Sequence, residues 1–158
     1  MTRHTQTVDS PVGALTLVAS DIGLQHVGWE VDPGDAVEGA NRHLEETVRQ
    51  LDEYFAGTRM TFDLPLDLAG TPFQLAAWHA LATIPYGETV SYAEQAERIG
   101  RPTAVRAVGS ANGRNPVAIV LPCHRVIATG GGLGGFGGGL EAKRTLLDLE
   151  LRHAPRGL

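Results

Sequence analysis

Near residue 70 the chain changes its hydrophobic period, and that change constrains the fold more than any other feature. Before it, apolar residues fall in short β-rich runs around one helical stretch; after it, they recur mainly every three or four positions. Thr5–Val8, Leu15–Ala19 and Leu24–Val31 are separated by Ser-Pro-Val-Gly and Asp-Ile-Gly turns, which predicts a small antiparallel sheet. Pro33 is placed to open a helix, in which Leu44, Val48, Leu51 and Phe55 stand at helical spacing and Gly57 supplies the stop. Thr61–Leu68 reads as a further extended run, with Pro65 marking an edge or linker. A chain of 158 residues holds one ordinary domain or two small ones. The pattern divides it into an α+β lobe over 1–68 and a helical domain over 71–158.

In the second part, Thr71-Pro72 opens a helix bearing Phe73, Leu75, Ala76, Trp78 and Leu81, ended by Ile84-Pro85-Tyr86-Gly87. Ser91-Tyr92-Ala93-Glu94 has capping-box spacing and starts a short helix that stops at Gly100. Pro102 falls in the first turn of the next helix, which carries Val105, Val108 and Ala111 inward and Arg106 on another face. Two short helices around a glycine turn resemble a helix-turn-helix. Ala104, Ala107, Gly109, Ser110, Ala111 and Gly113 make the second helix nearly all small, which suits close approach to a partner and close helix packing equally. Val117–Leu121 reads as a buried extended segment. Eight glycines fill Gly130–Gly139, with Leu133 and Phe136 between them, and a last helix carries Leu140, Leu146, Leu147, Leu149 and Leu151.

Charge and composition narrow the function. The net charge is −5, yet it is unevenly spread. Residues 1–70 hold four Arg against twelve Asp and Glu, a balance of −8, whereas 71–158 hold nine Lys and Arg against six acids, a balance of +3. Five arginines and no acid lie between Arg98 and Arg125, a pattern that fits a nucleic-acid binder and an unevenly charged solvated surface equally. No run of about 18 apolar residues is present, so no membrane span is expected. No apolar h-region follows Met1-Thr2-Arg3-His4-Thr5. Cys123 is the single cysteine, which rules out an intramolecular disulfide and a cysteine-built zinc site and makes a reducing cytoplasm the default.

Cys123 sits in Pro122-Cys123-His124-Arg125-Val126, where both neighbours can favour a thiolate. In a strand, adjacent side chains point to opposite faces, so cooperation of Cys123 with His124 requires a turn at 122–125. A reactive nucleophile and a buried small hydrophobe both remain open on these residues alone, and Glu150 reads equally as a solvated helix residue.

Taken together, these motifs resemble the O6-alkylguanine-DNA alkyltransferase family. Tyr86-Gly87-Glu88-Thr89, Ser91-Tyr92, Arg106-Ala107-Val108-Gly109, Asn112 to Asn115-Pro116, the Cys-His-Arg segment, Phe136-Gly137-Gly138-Gly139-Leu140 and Leu146-Leu147 before Glu150 follow the family's order. The match is close over 71–151 and looser before it. Alkyltransferase-like proteins carry Trp where this chain has Cys123, which favours the repair-competent branch. The resemblance implies an RNase-H-like α/β lobe before a winged helix-turn-helix lobe, and a single-turnover repair protein acting on duplex DNA that contains O6-alkylguanine. O4-methylthymine is a further candidate substrate. A monomer is implied, with cooperative binding along DNA left open.

By the same resemblance, Cys123 takes the alkyl group, His124 draws its proton through a water, and Glu150 orients the imidazole. Asn115 holds the turn, and Tyr92 crowds the 3′ phosphate and protonates the leaving guanine. Arg106 enters the base stack as an arginine finger. Ala107, Gly109, Ser110, Arg114 and Arg125 complete the DNA-facing set, and Val126, Phe136 and Gly137 the base pocket. The family often has Tyr where Phe136 stands, which bears on loop hydrogen bonding and substrate range. No metal and no cofactor are implied. The competing classes are a lesion-binding module that leaves Cys123 unmodified and a Cys-His-Glu hydrolase with many turnovers.

Overall fold

This computed structural model describes residues 2–130 and 135–155, so Leu133 and the glycines beside it lie outside the described residues. The chain falls into two compact units, residues 1–68 and 69–158. In the first, β1 (His4–Val8), β2 (Leu15–Ala19), β3 (Leu24–Gly28) and β4 (Val37–Glu38) form one sheet in the order β3-β2-β1-β4. The first three are antiparallel, whereas β4 joins β1 in parallel. Leu15, Leu17, Leu24 and Val27 bury with Leu44, Leu51 and Tyr54 of α1 (Arg42–Phe55).

No helix begins at Pro33. The glycines at 34 and 39 hold positive φ, β4 intervenes, and α1 starts only after Asn41, whose side chain accepts from the His43 and Leu44 amides. Thr61–Leu68 is not a regular strand either. Its backbone joins the sheet at one parallel bridge, Leu24 to Leu66, where the Leu24 amide donates to the Pro65 carbonyl at 2.8 Å, and its Asp67 side chain accepts from Gln25 of β3 at 2.9 Å. Gly23 permits that approach, since a Cβ there would lie 2.5 Å from the Pro65 oxygen.

The second unit comprises α2 (Pro72–Leu81), β5 (Val90–Ser91), α3 (Tyr92–Arg98), α4 (Val105–Gly113), a 3-10 turn at Cys123–Arg125, β6 (Val126–Ile127) and α5 (Leu140–His153). Ser91 closes the capping box that its spacing predicts, and Thr71 closes a second, unpredicted one with Gln74. Short β5 and β6 pair in parallel. Helix α4 begins at Val105, so Pro102 lies in the preceding turn, where the Ala104 amide donates to the Arg101 carbonyl. Val108 and Ala111 face inward, but Val105 is exposed because it occupies the first helical position. In α5, Leu146 and Leu149 are buried, while Leu140 and Leu151 are exposed at its two ends. Among the described residues no helix is long and apolar enough to cross a membrane.

Candidate active site

Val117–Leu121 is buried except for half-buried Val120, but it turns back on itself rather than running as a strand. Ile119 holds φ +73°, a conformation that a β-branched residue adopts only where its surroundings enforce it. Asn115 is part of that enforcement: its Oδ1 accepts from the Val117 amide at 3.1 Å and its Nδ2 donates to the Leu121 carbonyl at 2.7 Å. The chain leaves this turn through Pro122 into one turn of 3-10 helix, Cys123–Arg125. With about three residues per turn, a 3-10 helix sends consecutive side chains in three directions. Cys123, His124 and Arg125 are all buried, so the turn resolves the problem that a strand would have posed.

Glu150 joins them from α5. Its Oε2 lies 2.5 Å from His124 Nε2 and accepts from Arg125 NH2 at 3.0 Å; its Oε1 accepts from Arg125 Nε at 2.7 Å. The Gly87 amide approaches the same Oε1 at 3.3 Å. Gly87 is required there, because its φ is +80° and a Cβ would sit 2.6 Å from that of Ala154. Burial opposes the charge on Glu150, but His124 and Arg125 outweigh it and hold the carboxyl at about 2.

The tautomer of His124 follows. An ionised carboxylate cannot donate, so Nε2 carries the hydrogen and Nδ1 the lone pair. Nδ1 makes no hydrogen bond among the described residues. Burial pushes the imidazolium below its ordinary range, Glu150 opposes this, and Arg125 and Lys143 reinforce it. The result is a neutral imidazole with a basic nitrogen available. Burial also pushes the Cys123 thiol up, against the pull of an Asn115 hydrogen bond and the Lys143 charge. The resting sulfur is therefore a thiol and needs a base.

Lys143 is the residue that sequence reasoning missed. It is fully buried, and its Nζ donates to the Val126 carbonyl at 2.6 Å and to the Gly135 carbonyl at 3.5 Å. Burial pulls its ammonium down and the Cys123 charge opposes that. Its only sequence signal is position: it lies seven residues before Glu150, two helical turns away on one face.

A pocket of about 500 Å³ opens over Cys123, lined by Tyr92, Gly109, Asn112, Gly113, Gly135, Phe136 and Gly137. Burial and the nearby Cys123 charge raise the Tyr92 phenol, which stays protonated and able to donate. Thus Cys123, Tyr92, Gly109, Phe136 and Gly137 meet at one pocket, with His124, Glu150, Asn115 and Val126 behind it. Arg106, Ala107, Ser110 and Arg114 are exposed on or just beyond α4. Arg125 is a correction. Rather than facing a ligand, its guanidinium is committed to Glu150, to the Ile84 carbonyl at 2.7 Å and to the face of Tyr86 at 5.6 Å. Among the described residues no group of three or more His, Cys, Asp or Glu side chains is placed to hold a metal.

Residues 72–152 match the family described as 6-O-methylguanine DNA methyltransferase, DNA binding domain, and residues 4–68 match its ribonuclease-like domain. The methylated-DNA–protein-cysteine methyltransferase of Mycolicibacterium paratuberculosis is 51% identical, over 97% of this chain and 95% of its own. Its counterpart in Methanosarcina barkeri is 46% identical, over 90% and 94%. The crystal structure of Mycobacterium tuberculosis OGT in complex with DNA superposes with a TM-score of 0.90 at 49% identity, covering 96% of this chain and 95% of that one.

Proposed function

Since the chain belongs to the 6-O-methylguanine DNA methyltransferase family, we propose that it reverses alkylation damage directly, moving the alkyl group of O6-alkylguanine in duplex DNA onto Cys123. The observation that carries this reading is the buried His124–Glu150 pair, which leaves Nδ1 as the basic nitrogen of the residue next to the one cysteine, while Cys123 itself lines a base-sized pocket. The mycobacterial relative crystallised with DNA supports DNA as the partner.

In this mechanism α4 enters the minor groove, where its small residues allow close approach. Arg106 fills the stack as the damaged nucleotide rotates out, and Tyr92 crowds the 3′ phosphate. Ala107, Gly109, Ser110 and Arg114 contact the backbone and groove, whereas Arg125, held by Glu150, is left out of that set. Unstacking a poorly paired guanine costs less than unstacking a sound one, which contributes to selection. The base then lies between Tyr92 and Phe136, against the main chain of Val126 and Gly137.

His124 Nδ1 takes the Cys123 proton through a water, and Glu150 stabilises the imidazolium. Asn115 and Lys143 stabilise the thiolate. Sulfur attacks the alkyl carbon, the carbon–O6 bond breaks with its electrons passing to guanine, and the Tyr92 phenol returns a proton to the base. The product thioether has no route back to the thiol, so each chain acts once. Residues 71–158 carry both the DNA-binding and the acceptor role. The protein acts as a cytoplasmic monomer without metal or cofactor.

Intact-protein mass spectrometry after incubation with a duplex containing one O6-methylguanine tests this. A gain of one methyl group on Cys123, never more than one per chain and absent with undamaged duplex, is expected. Binding without mass gain makes the protein a lesion-recognition module instead.

A further inference from the structure

Gln95 and Asn112 form a reciprocal amide pair in the core of the second unit. Gln95 is 1% exposed and Asn112 is 7% exposed. Gln95 Nε2 donates to Asn112 Oδ1 at 2.9 Å and to the Ala77 carbonyl at 3.0 Å, and Asn112 Nδ2 donates to Gln95 Oε1 at 2.7 Å. A carbonyl only accepts, so Ala77 dictates which end of the Gln95 amide faces it. That in turn dictates how the Asn112 amide is turned. One pair of side chains thereby ties α2, α3 and α4 together.

Packing alone does not call for amides here. The buried neighbours Ala77, Leu81, Ala96, Val108 and Ala111 are apolar, and a methionine would fill the space of Gln95. What apolar packing cannot do is choose a register, because α4 is almost all small residues and presents a smooth face. A polar pair in such a seam specifies one alignment. Moving α4 by one residue would set Ala111 or Gly113 where Asn112 stands and leave the buried Gln95 amide without its partner. It would also advance the helix by about 1.5 Å and turn it by about 100°.

That register is what the pocket depends on. Tyr92 comes from α3, whereas Gly109, Asn112 and Gly113 come from α4. The position of a Cβ on Gly109 lies 3.8 Å from the Tyr92 ring, so the two helices meet at the pocket wall itself. We infer that Gln95 is a positioning residue: through Asn112 it fixes α4 against α3, so that the groups facing the duplex and those lining the pocket keep one alignment. The inference rests on the proposed function.

The test compares wild type, Q95M and W78F. W78F removes the other tie between α2 and α4, the Trp78 Nε1 bond to the Ala111 carbonyl at 2.8 Å, and leaves the amide pair intact. Two rates are read at a temperature where each protein is folded by circular dichroism: methyl transfer from an O6-methylguanine duplex, and labelling of Cys123 by iodoacetamide. A misplacement near 1 Å can cost on the order of 100-fold in rate. Q95M is expected to transfer from duplex at least about tenfold more slowly than wild type, with iodoacetamide labelling within about twofold, while W78F loses stability but keeps its duplex rate. Equal duplex rates in Q95M and wild type, or equal losses in Q95M and W78F, overturn the inference. If Q95M does not fold, Q95M/N112M replaces both amides by apolar groups, and wild-type duplex transfer in that variant overturns it too. Failure of wild type itself to transfer would instead strike the proposed function.

Discussion

Replacing Glu150 by Gln removes one charge and changes almost nothing in volume, which makes it the sharpest probe of the buried site. In the folded protein the carboxyl is held at about 2 against an ordinary 4.5, because His124 and Arg125 together outweigh the burial that opposes its charge. At about 1.4 kcal/mol per pH unit, the ionised carboxylate contributes roughly 3 kcal/mol. Glutamine leaves the Arg125 guanidinium buried with one acceptor oxygen in place of two, and a half-broken buried pair costs about 3–5 kcal/mol, in line with that figure. A group whose folded value is depressed stabilises fully above its unfolded value and loses that contribution as pH falls through the folded one. The stability gap between wild type and E150Q should therefore be full at pH 7 and down to pH 4.5, then close steadily towards pH 2. Urea unfolding of both proteins across that range, with equal m-values, measures it. A gap that stays constant from pH 7 to 2.5 would refute the reasoning and make the defect one of packing rather than of charge.

Other expectations follow from the same geometry. K143M removes the cation that favours a Cys123 thiolate, so iodoacetamide labelling at pH 8 should slow by roughly tenfold per unit of thiol shift, while stability holds or rises because a buried ammonium is lost; unchanged labelling would count against an electrostatic role. R114A should weaken duplex binding alike for damaged and undamaged sequences and lower the salt slope by about 1. R125M should leave that slope intact but lose about 3–5 kcal/mol of stability, as the Glu150 carboxylate loses its partner. G87A should destabilise by more than about 1 kcal/mol, from both positive φ and the clash with Ala154, whereas G113A, open around its Cβ on a helix, should gain up to about 1 kcal/mol in the same urea assay.

The cap at Ser91 was the most legible part of the sequence because it is local: Ser91 and Glu94 satisfy each other's amides within four residues, and Thr71 with Gln74 forms a second box of the same kind where Thr71-Pro72 read only as a helix start. Pro33 and Pro102 misled because proline is compatible with a helix's first turn without requiring one. Gly34 and Gly39 break the first case, and a separate turn absorbs the second. The alkyl-acceptor segment was legible only as a motif. Nothing in the period of Val117–Leu121 announces the turn at Ile119, which Asn115 imposes through contacts made after folding. Lys143 and Arg125 were unreadable for the same reason. Both are ordinary surface residues by type, and only the pairing of α5 with the 3-10 turn buries them.

The site pairs a thiol whose proton burial holds on with an imidazole whose proton burial drives off, and this separation has a consequence for specificity. An acceptor that is consumed by each reaction loses function to any stray electrophile, so a standing thiolate would be a liability. Here neutral His124 stands ready while Cys123 stays protonated, and sulfur becomes nucleophilic only when proton transfer and alkyl transfer are coupled in the pocket. Two pH profiles then diverge. Transfer from duplex DNA should reach its plateau at a lower pH than an ordinary imidazole would allow and stay flat above it, because burial depresses His124 and Glu150 alone opposes the depression. Iodoacetamide, which samples thiolate formed without that coupling, should label Cys123 faster as pH rises through 9.0 and beyond, the ordinary thiol value lying below that of the buried group. Measuring both rates on one preparation between pH 5 and 10 decides the matter. If transfer instead climbs alongside labelling above pH 8, the reaction draws on pre-formed thiolate, and His124 orients the sulfur without acting as its base.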